Sequence, residues 1–161
     1  MIPQISQAPG LSPQVLSYIE TLTEQGFTGD IATDYGARLS MSVDNSIYQC
    51  LPDAIVFPRS VADVTLVSRI AGQAEFAGLT FTARGGGTGT NGQSLNQGVI
   101  VDLSRHMNHI LEINTEEGWV KVEAGVVKDQ LNQWLKPYGF FFSPELSTSN
   151  RATIGGMINT D

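Results

Sequence analysis

The chain has 161 residues, 41% of them hydrophobic, and a formal net charge of −7. That is enough for one domain with its own core, and no apolar run reaches the length of a membrane span. The nine Lys and Arg are spread singly along the chain, which argues against nucleic acid or an anionic membrane surface as the partner.

Residues 1 to 10 carry two prolines and no periodicity, and are expected to form a loose arm. The start, Met1-Ile2-Pro3-Gln4, has no basic run or apolar h-region, so a cytoplasmic location is expected. Ser12-Pro13 supplies an N-cap and a proline at the first helical position. Val15, Leu16, Ile19 and Leu22 then recur at helical spacing up to Gly26, which can close the helix. Residues 28 to 47 read as connecting structure. Asp30, Asp34 and Asp44 lie there without the spacing of a calcium loop. Cys50 is the single cysteine, so no internal disulfide is possible, and it reads as a small buried or half-buried residue.

Ala54-Ile55-Val56-Phe57 is a short buried strand ended by Pro58. Ser60 and Asp63 resemble a capping box, opening a helix with Val61, Val64, Val67, Ile70, Ala71 and Ala74 on its inner side. Leu79 to Ala83 is the next strand, and strand, helix, strand predicts a parallel βαβ unit.

The run Arg84-Gly85-Gly86-Gly87-Thr88-Gly89-Thr90-Asn91-Gly92 leaves the carboxyl end of that strand, where α/β sheets tend to bind ligands. Five of its nine residues are glycine. A ligand can therefore approach the backbone closely, and successive N–H groups can converge on an anion. Thr88 and Thr90 add hydroxyls and Arg84 a positive charge, a donor set suited to a phosphate or pyrophosphate. Gly87, Gly89 and Gly92 match G-x-G-x-x-G, but a dinucleotide-binding motif must open a helix. Here a short polar stretch leads straight into a second strand, Val99 to Leu103. A Walker A loop is excluded because no Gly-Lys-Ser/Thr follows.

Ile110 to Ile113 and Trp119 to Ala124 flank a turn at Asn114 to Gly118 and predict an antiparallel hairpin. A helix over roughly Val127 to Lys136 buries Val127, Leu131, Trp134 and Leu135. Gly139 precedes an apolar run, Phe140-Phe141-Phe142, read as a strand. A polar turn, Pro144 to Ser149, and the pair Gly155-Gly156 close the chain, which stops at Ile158-Asn159-Thr160-Asp161. We expect a piece of a longer protein. The fold class is α+β, a small βαβ parallel layer followed by an antiparallel sheet with helices, the glycine turn at their seam. His106 and His109 show no carboxylate or second ligand at metal-like spacing, and no metal or catalytic residue is assigned.

Taken together, Ala54 to Ser60, Arg84 to Gly89, Gly98 to Leu103, Val122 to Val126, Pro144-Glu145 and Thr153 to Gly156 form an ordered set. It resembles the FAD-linked oxidases of the vanillyl-alcohol-oxidase type, whose cofactor domain is the PCMH-type FAD-binding domain. Asp44 to Tyr48 and Glu145 to Thr153 are similar to the iron–sulfur-linked branch that oxidises D-2-hydroxy acids. The resemblance implies an N-terminal arm and helix over 1–47 and an FAD-binding domain over 48–161, incomplete at its C-terminal end. It implies FAD contacts at Arg84, Gly85, Gly86, Gly87, Thr88, Gly89, Thr90, Asn91 and Ser94. Pro144, Glu145, Thr148 and Ser149 would lie along the flavin and ribityl chain, and Thr153, Ile154, Gly155 and Gly156 against the isoalloxazine or diphosphate. Leu146 stands where relatives often have proline, and Met157 where many have asparagine.

No histidine lies between Arg84 and Gly98, so non-covalent FAD is expected. An iron–sulfur cluster is expected only in the remainder of the protein. The implied activity is flavin-dependent oxidation of a small D-2-hydroxy acid, with D-2-hydroxyglutarate as the expected substrate and the isolated chain inactive. Two alternatives stay open. One is a flavoenzyme of D-lactate or glycolate oxidase or UDP-sugar reductase type; the other is a non-catalytic module that only self-associates.

Overall fold

A computed structural model describes residues 10–160, so the arm expected over residues 1 to 10 lies, Gly10 apart, outside the described residues. Helix α1, Pro13–Glu24, begins where Ser12 Oγ accepts the Val15 amide at 3.2 Å. Its inner face is Val15, Tyr18 and Leu22; Leu16, expected inside, is 45% exposed. The supposed connection that follows holds a short strand, β1, Asp30–Ala32, and a helix, α2, Tyr35–Ser40, capped by the Asp34 carboxylate. Strand β2, Ala54–Phe57, is buried along its whole length.

Helix α3, Val61–Ala71, starts at Ser60, whose hydroxyl accepts the Asp63 amide at 3.1 Å. The return half of the expected capping box is absent. The Asp63 carboxylate instead accepts the Thr28 amide and hydroxyl and the Arg59 amide, each at 2.9 Å, tying the approach to β1 to the start of α3. Leu66, Val67 and Ile70 face the core, whereas Val61 is exposed and Ala74 belongs to a separate 3-10 turn, Ala74–Phe76. Strands β3, Phe81–Arg84, and β4, Val99–Asp102, complete the first sheet.

That sheet runs β1-β2-β4-β3. β4 is parallel to both β2 and β3, pairing Val99 with Ala54 and with Phe81, while β1 is antiparallel to β2. The expected βαβ unit is therefore split: β2 and β3 are not neighbours, because β4 inserts between them. Its four residues are buried on both faces, the burial a central parallel strand requires. Val15, Tyr18 and Leu22 of α1 pack with Val67 and Ile70 of α3 and with Val56, Val99 and Phe76 in one core.

A second layer follows. Strands β5, Ile110–Asn114, and β6, Trp119–Val122, form the expected antiparallel hairpin. Helix α4, Lys128–Leu135, packs Leu131 and Leu135 with Val126 and Ile154 against it. Phe140 to Phe142 is not a strand. Its backbone meets a side chain rather than a partner strand, since Asn132 Oδ1 accepts the Phe142 amide at 2.7 Å and Asn132 Nδ2 donates to the Phe142 carbonyl. Helix α5, Ile154–Thr160, ends the described chain.

Asp63 gives this fold an acid-sensitive joint. Burial works against its charged form, but the amides of Thr28 and Arg59 and the hydroxyls of Thr28 and Ser60 outweigh it and hold the carboxyl below the ordinary carboxylate range. A folded-state value below the unfolded one, about 3.9, contributes stability that is present above that pH and is lost as pH falls through the folded value. Asp63→Ala is expected to lose about 2 kcal/mol at neutral pH, because buried donors lose their acceptor. Asp63→Asn should flatten the fall in stability below about pH 4. Urea denaturation across that range measures both.

Candidate functional site

A cleft of about 590 Å³ opens between the two layers, within the range of small-molecule and cofactor pockets. The first layer contributes Arg84 to Asn91, Gln93 and Ser94, and the second Ala124, Leu146, Thr148, Ala152, Thr153 and the Gly155-Gly156 start of α5. Most of the expected site residues are thus brought to one place. Pro144, Glu145, Ser149 and Ile154 do not line it. Glu145 pairs at 3.1 Å with Lys128, a residue only 2% exposed, Ser149 Oγ donates to Asp129, and Ile154 is in the second core. These contacts anchor the 144–153 loop to the first turn of α4. The amides of Lys128 and Asp129 strengthen that anchor by donating to the Ala152 and Ser149 carbonyls.

The two glycine segments differ chemically. The second spends its donors within the protein: Ile154 N–H on Val126 O, Gly155 N–H on Ala124 O and Gly156 N–H on Thr153 Oγ1. In the first, no amide from Gly86 to Thr90 donates to any group among the described residues, and neither do the hydroxyls of Thr88 and Thr90. Peptide donors left without a partner seek one, and a concave row of them is an anion site.

Arg84, which lines the cleft, also has a part inside the protein. It is 9% exposed, and its guanidinium is spent below the turn, Nη2 donating to Val43 O at 2.8 Å and Nη1 to Met41 O at 3.3 Å. Burial pulls its pKa below the ordinary arginine value, while Asp102 and Asp44 oppose that shift. Its guanidinium thereby ties the 41–43 backbone to the foot of the turn.

Gly85 and Gly86 are glycines for a packing reason as well. A Cβ on Gly85 would strike the Thr153 side chain, and one on Gly86 the Arg151 carbonyl. The cleft is therefore closed at its floor by direct contact between the two segments. Gln93, Asn159 and Thr160, unforeseen in the sequence, also line it. Gln93 accepts the Asn91 amide at 3.0 Å. Asn159 and Thr160 stand three to five residues beyond the glycine pair on α5 and donate to the carbonyls of Gly155 and Gly156. A glycine pair opening a helix is the one signal that could have placed them. Leu146 and Met157 line the cleft too.

Neither histidine reaches this cleft. Contrary to the sequence reading, each meets a carboxylate at 2.7 Å, His106 that of Asp30 and His109 that of Glu123. Among the described residues no three His, Cys, Asp or Glu side chains group as a metal site. Cys50 is half-buried, and no helix among the described residues is long and apolar enough to cross a membrane.

An amide-rich, cation-poor turn in a cleft of nucleotide size fits a phosphate-bearing cofactor. Residues 52–161 match the FAD binding domain family, and the chain belongs to that family. Over all 161 residues it is 76% identical to the D-2-hydroxyglutarate dehydrogenase of Pantoea ananatis (strain AJ13355), of which it spans 16% of the length. A more distant relative is the glycolate oxidase subunit GlcD of Bacillus subtilis (strain 168), 33% identical over 113 residues, or 70% of this chain and 23% of that protein. In fold, an alkyldihydroxyacetonephosphate synthase superposes with a TM-score of 0.80 at 20% identity, covering 97% of this chain and 30% of that one.

Proposed function

We propose that this chain is the first part of the FAD-binding domain of a D-2-hydroxyglutarate dehydrogenase and seats the FAD diphosphate on the Gly85–Asn91 turn. The observation that carries the substrate is 76% identity to such an enzyme across the whole chain, against 33% to a glycolate oxidase subunit. The diphosphate assignment is supported by the unspent amides of Gly86 to Thr90. These amides, with the Thr88 and Thr90 hydroxyls, bind the dianion using dipoles already aimed when the ligand arrives. Ser94 braces the exit of the turn from below, donating to Asp44 at 3.0 Å. Thr148, Thr153, Gly155 and Gly156 form the opposite wall, Glu145, Ser149 and Ile154 hold that wall in place through α4 and the second core, and Pro144 leads into it.

When bound, FAD supplies the acceptor for the two electrons removed from the carbon that bears the substrate hydroxyl. The residues of this chain bind and orient it; the groups that bind the small 2-hydroxy acid, and an iron–sulfur module for onward transfer, belong to the rest of a longer cytoplasmic enzyme. Of the two parts, 1–47 and 48–161, the second carries the cofactor surfaces and the described residues of the first, 10–47, brace them. The exposed Leu111, Trp119 and Phe141 of the second layer favour self-association of the chain when it is isolated.

The purified chain is expected to retain flavin absorbance after incubation with FAD and desalting. A folded, colourless sample would overturn the proposed seat. For the substrate, a longer polypeptide carrying this chain should reduce an artificial acceptor with D-2-hydroxyglutarate faster than with D-lactate or glycolate; the reverse order would overturn that assignment.

A further inference from the structure

We propose that the segment Met41–Ser46, which precedes the part of the chain matched by the family, is a positioning element of the cofactor cleft, with Asp44 its principal positioning residue. The inference rests on the FAD reading of the glycine turn and concerns how that turn holds its shape.

Three links join the segment to the turn. The Asn45 amide donates to the Gly87 carbonyl at 3.1 Å, and the Arg84 guanidinium donates to the carbonyls of Met41 and Val43. Ser94 Oγ donates to Asp44 Oδ2 at 3.0 Å, while Asp44 Oδ1 accepts the Ser46 amide at 2.8 Å. Asp44 thus shapes the 44–46 bend and fastens it to the far end of the turn. Arg84 closes the same cluster from beneath, its Nη1 lying 3.4 Å from Ser94 Oγ. It also underlies Gly87, where an added Cβ would lie 2.6 Å from Nη2 and φ is +63°.

A trans peptide points its C=O and the next residue's N–H in opposite directions. With the Gly87 carbonyl held toward Asn45, the Thr88 N–H is directed away from the 41–46 segment. Thr88 lines the cleft, and its amide donates to nothing among the described residues. The bond on one side of that peptide therefore aims the donor on the other. The carboxylate itself would repel a phosphate, so its presence beneath a phosphate turn is explained by geometry and not by charge. Burial opposes the charged form of Asp44, yet Ser46, Ser94 and Arg84 hold its carboxyl below the ordinary range, so it accepts these bonds as an anion at neutral pH.

The sign of one substitution separates the two effects. If Asp44 acted through charge, removing it would leave FAD affinity unchanged or tighten it. Acting by position, Asp44→Ala should weaken FAD binding about tenfold or more, measured by flavin fluorescence titration. Asp44→Asn keeps one oxygen for the Ser46 amide, and its Nδ2 can donate to Ser94 Oγ in place of the native bond, so it should remain within about threefold of wild type. Thermal unfolding without FAD confirms that each variant is folded. If Asp44→Ala fails to fold, Ser94→Ala cuts the same link from the other side and should also weaken binding.

The turn can be read without cofactor. The Thr88 and Gly89 amide cross-peaks in a proton–nitrogen spectrum should be single in wild type and broadened or doubled in Asp44→Ala. Undiminished affinity in a folded Asp44→Ala, equal loss in Asp44→Asn, or unchanged Thr88 and Gly89 signals would overturn the proposal. A wild-type chain that takes up no FAD would overturn the cofactor reading, and the amide signals would still decide the positioning role.

Discussion

Replacing Gly86 by alanine is expected to strip the domain of FAD while leaving most of its secondary structure in place. The added Cβ falls on the Arg151 carbonyl, with the Arg151 carbonyl carbon at 2.9 Å and the Ala152 amide nitrogen at 3.6 Å. No side chain there can swing aside, because the obstacle is backbone. Nor can that backbone recede cheaply: the Arg151 and Ala152 amides donate to Thr148 O, Ala152 O accepts the Lys128 amide, and Ile154 N–H is bonded to Val126 O. The glycine turn must move instead, which parts the two segments that close the floor of the cleft and disperses the amides of Gly86 to Thr90. Overpacking of this kind costs about 1–3 kcal/mol of stability, so the domain survives while the donor array does not. Gly36→Ala is the matched control, since its Cβ meets only the Asp34 side chain at ordinary contact distance, 3.4 Å, in helix α2. Flavin retention and circular dichroism on the pair decide it. Retention of FAD by Gly86→Ala would mean that the contact with Arg151 does not shape the cleft.

How far such contacts can be read from sequence depends on their range along the chain. Signals confined to a few residues were legible. Ser12-Pro13 caps α1, Ser60 caps α3, the apolar runs at Ala54 and Val99 are buried strands, and the Asn114 to Gly118 turn joins a hairpin. So were the glycine turn and its place at a strand's carboxyl end. Elements whose form depends on distant partners were not. β1 has three residues and is a strand because it pairs with β2; Phe140 to Phe142 has strand composition but no partner ladder. Insertion of β4 between β2 and β3 leaves no trace in either strand's own pattern. Charge is incomplete in the same way: Arg84 reads as a phosphate ligand, and only the fold reveals that its guanidinium also donates to the Met41 and Val43 carbonyls. The glycines at 85 and 86 were attributed to ligand approach, and the fold adds a second segment pressing on them from residues 151–153.

Tyr18→Ala is expected to destabilise the domain by about 3–5 kcal/mol, the range for deleting a large buried aromatic side chain. Tyr18 is fully buried, and its ring meets Phe76 and Phe81 edge-on with centroids 5.3 and 5.0 Å apart. Its hydroxyl donates to Val67 O at 3.1 Å in the core, and burial pushes the phenol pKa well up, so it stays a neutral donor at any working pH. Tyr18→Phe loses only that hydroxyl bond and should cost about 1 kcal/mol. Chemical denaturation of the two variants separates ring packing from hydrogen bonding. Tyr18 lies on α1, before the matched residues 52–161, yet Val15, Tyr18 and Leu22 share one core with β2, α3 and β4. The family segment alone would expose the faces that α1 covers. A shortened chain beginning at residue 50 should therefore show at least the loss of Tyr18→Ala, because it lacks the same ring together with Val15 and Leu22. If that shortened chain instead unfolded at wild-type denaturant concentrations, α1 would be an accessory to a self-sufficient cofactor domain. The cleft depends on this support indirectly: β3 delivers Arg84 and the turn, and its Phe81 packs on the Tyr18 ring. Tyr18→Ala, which leaves Met41–Ser46 in place, should thus weaken FAD binding through the strand that carries the turn, with no cleft residue changed.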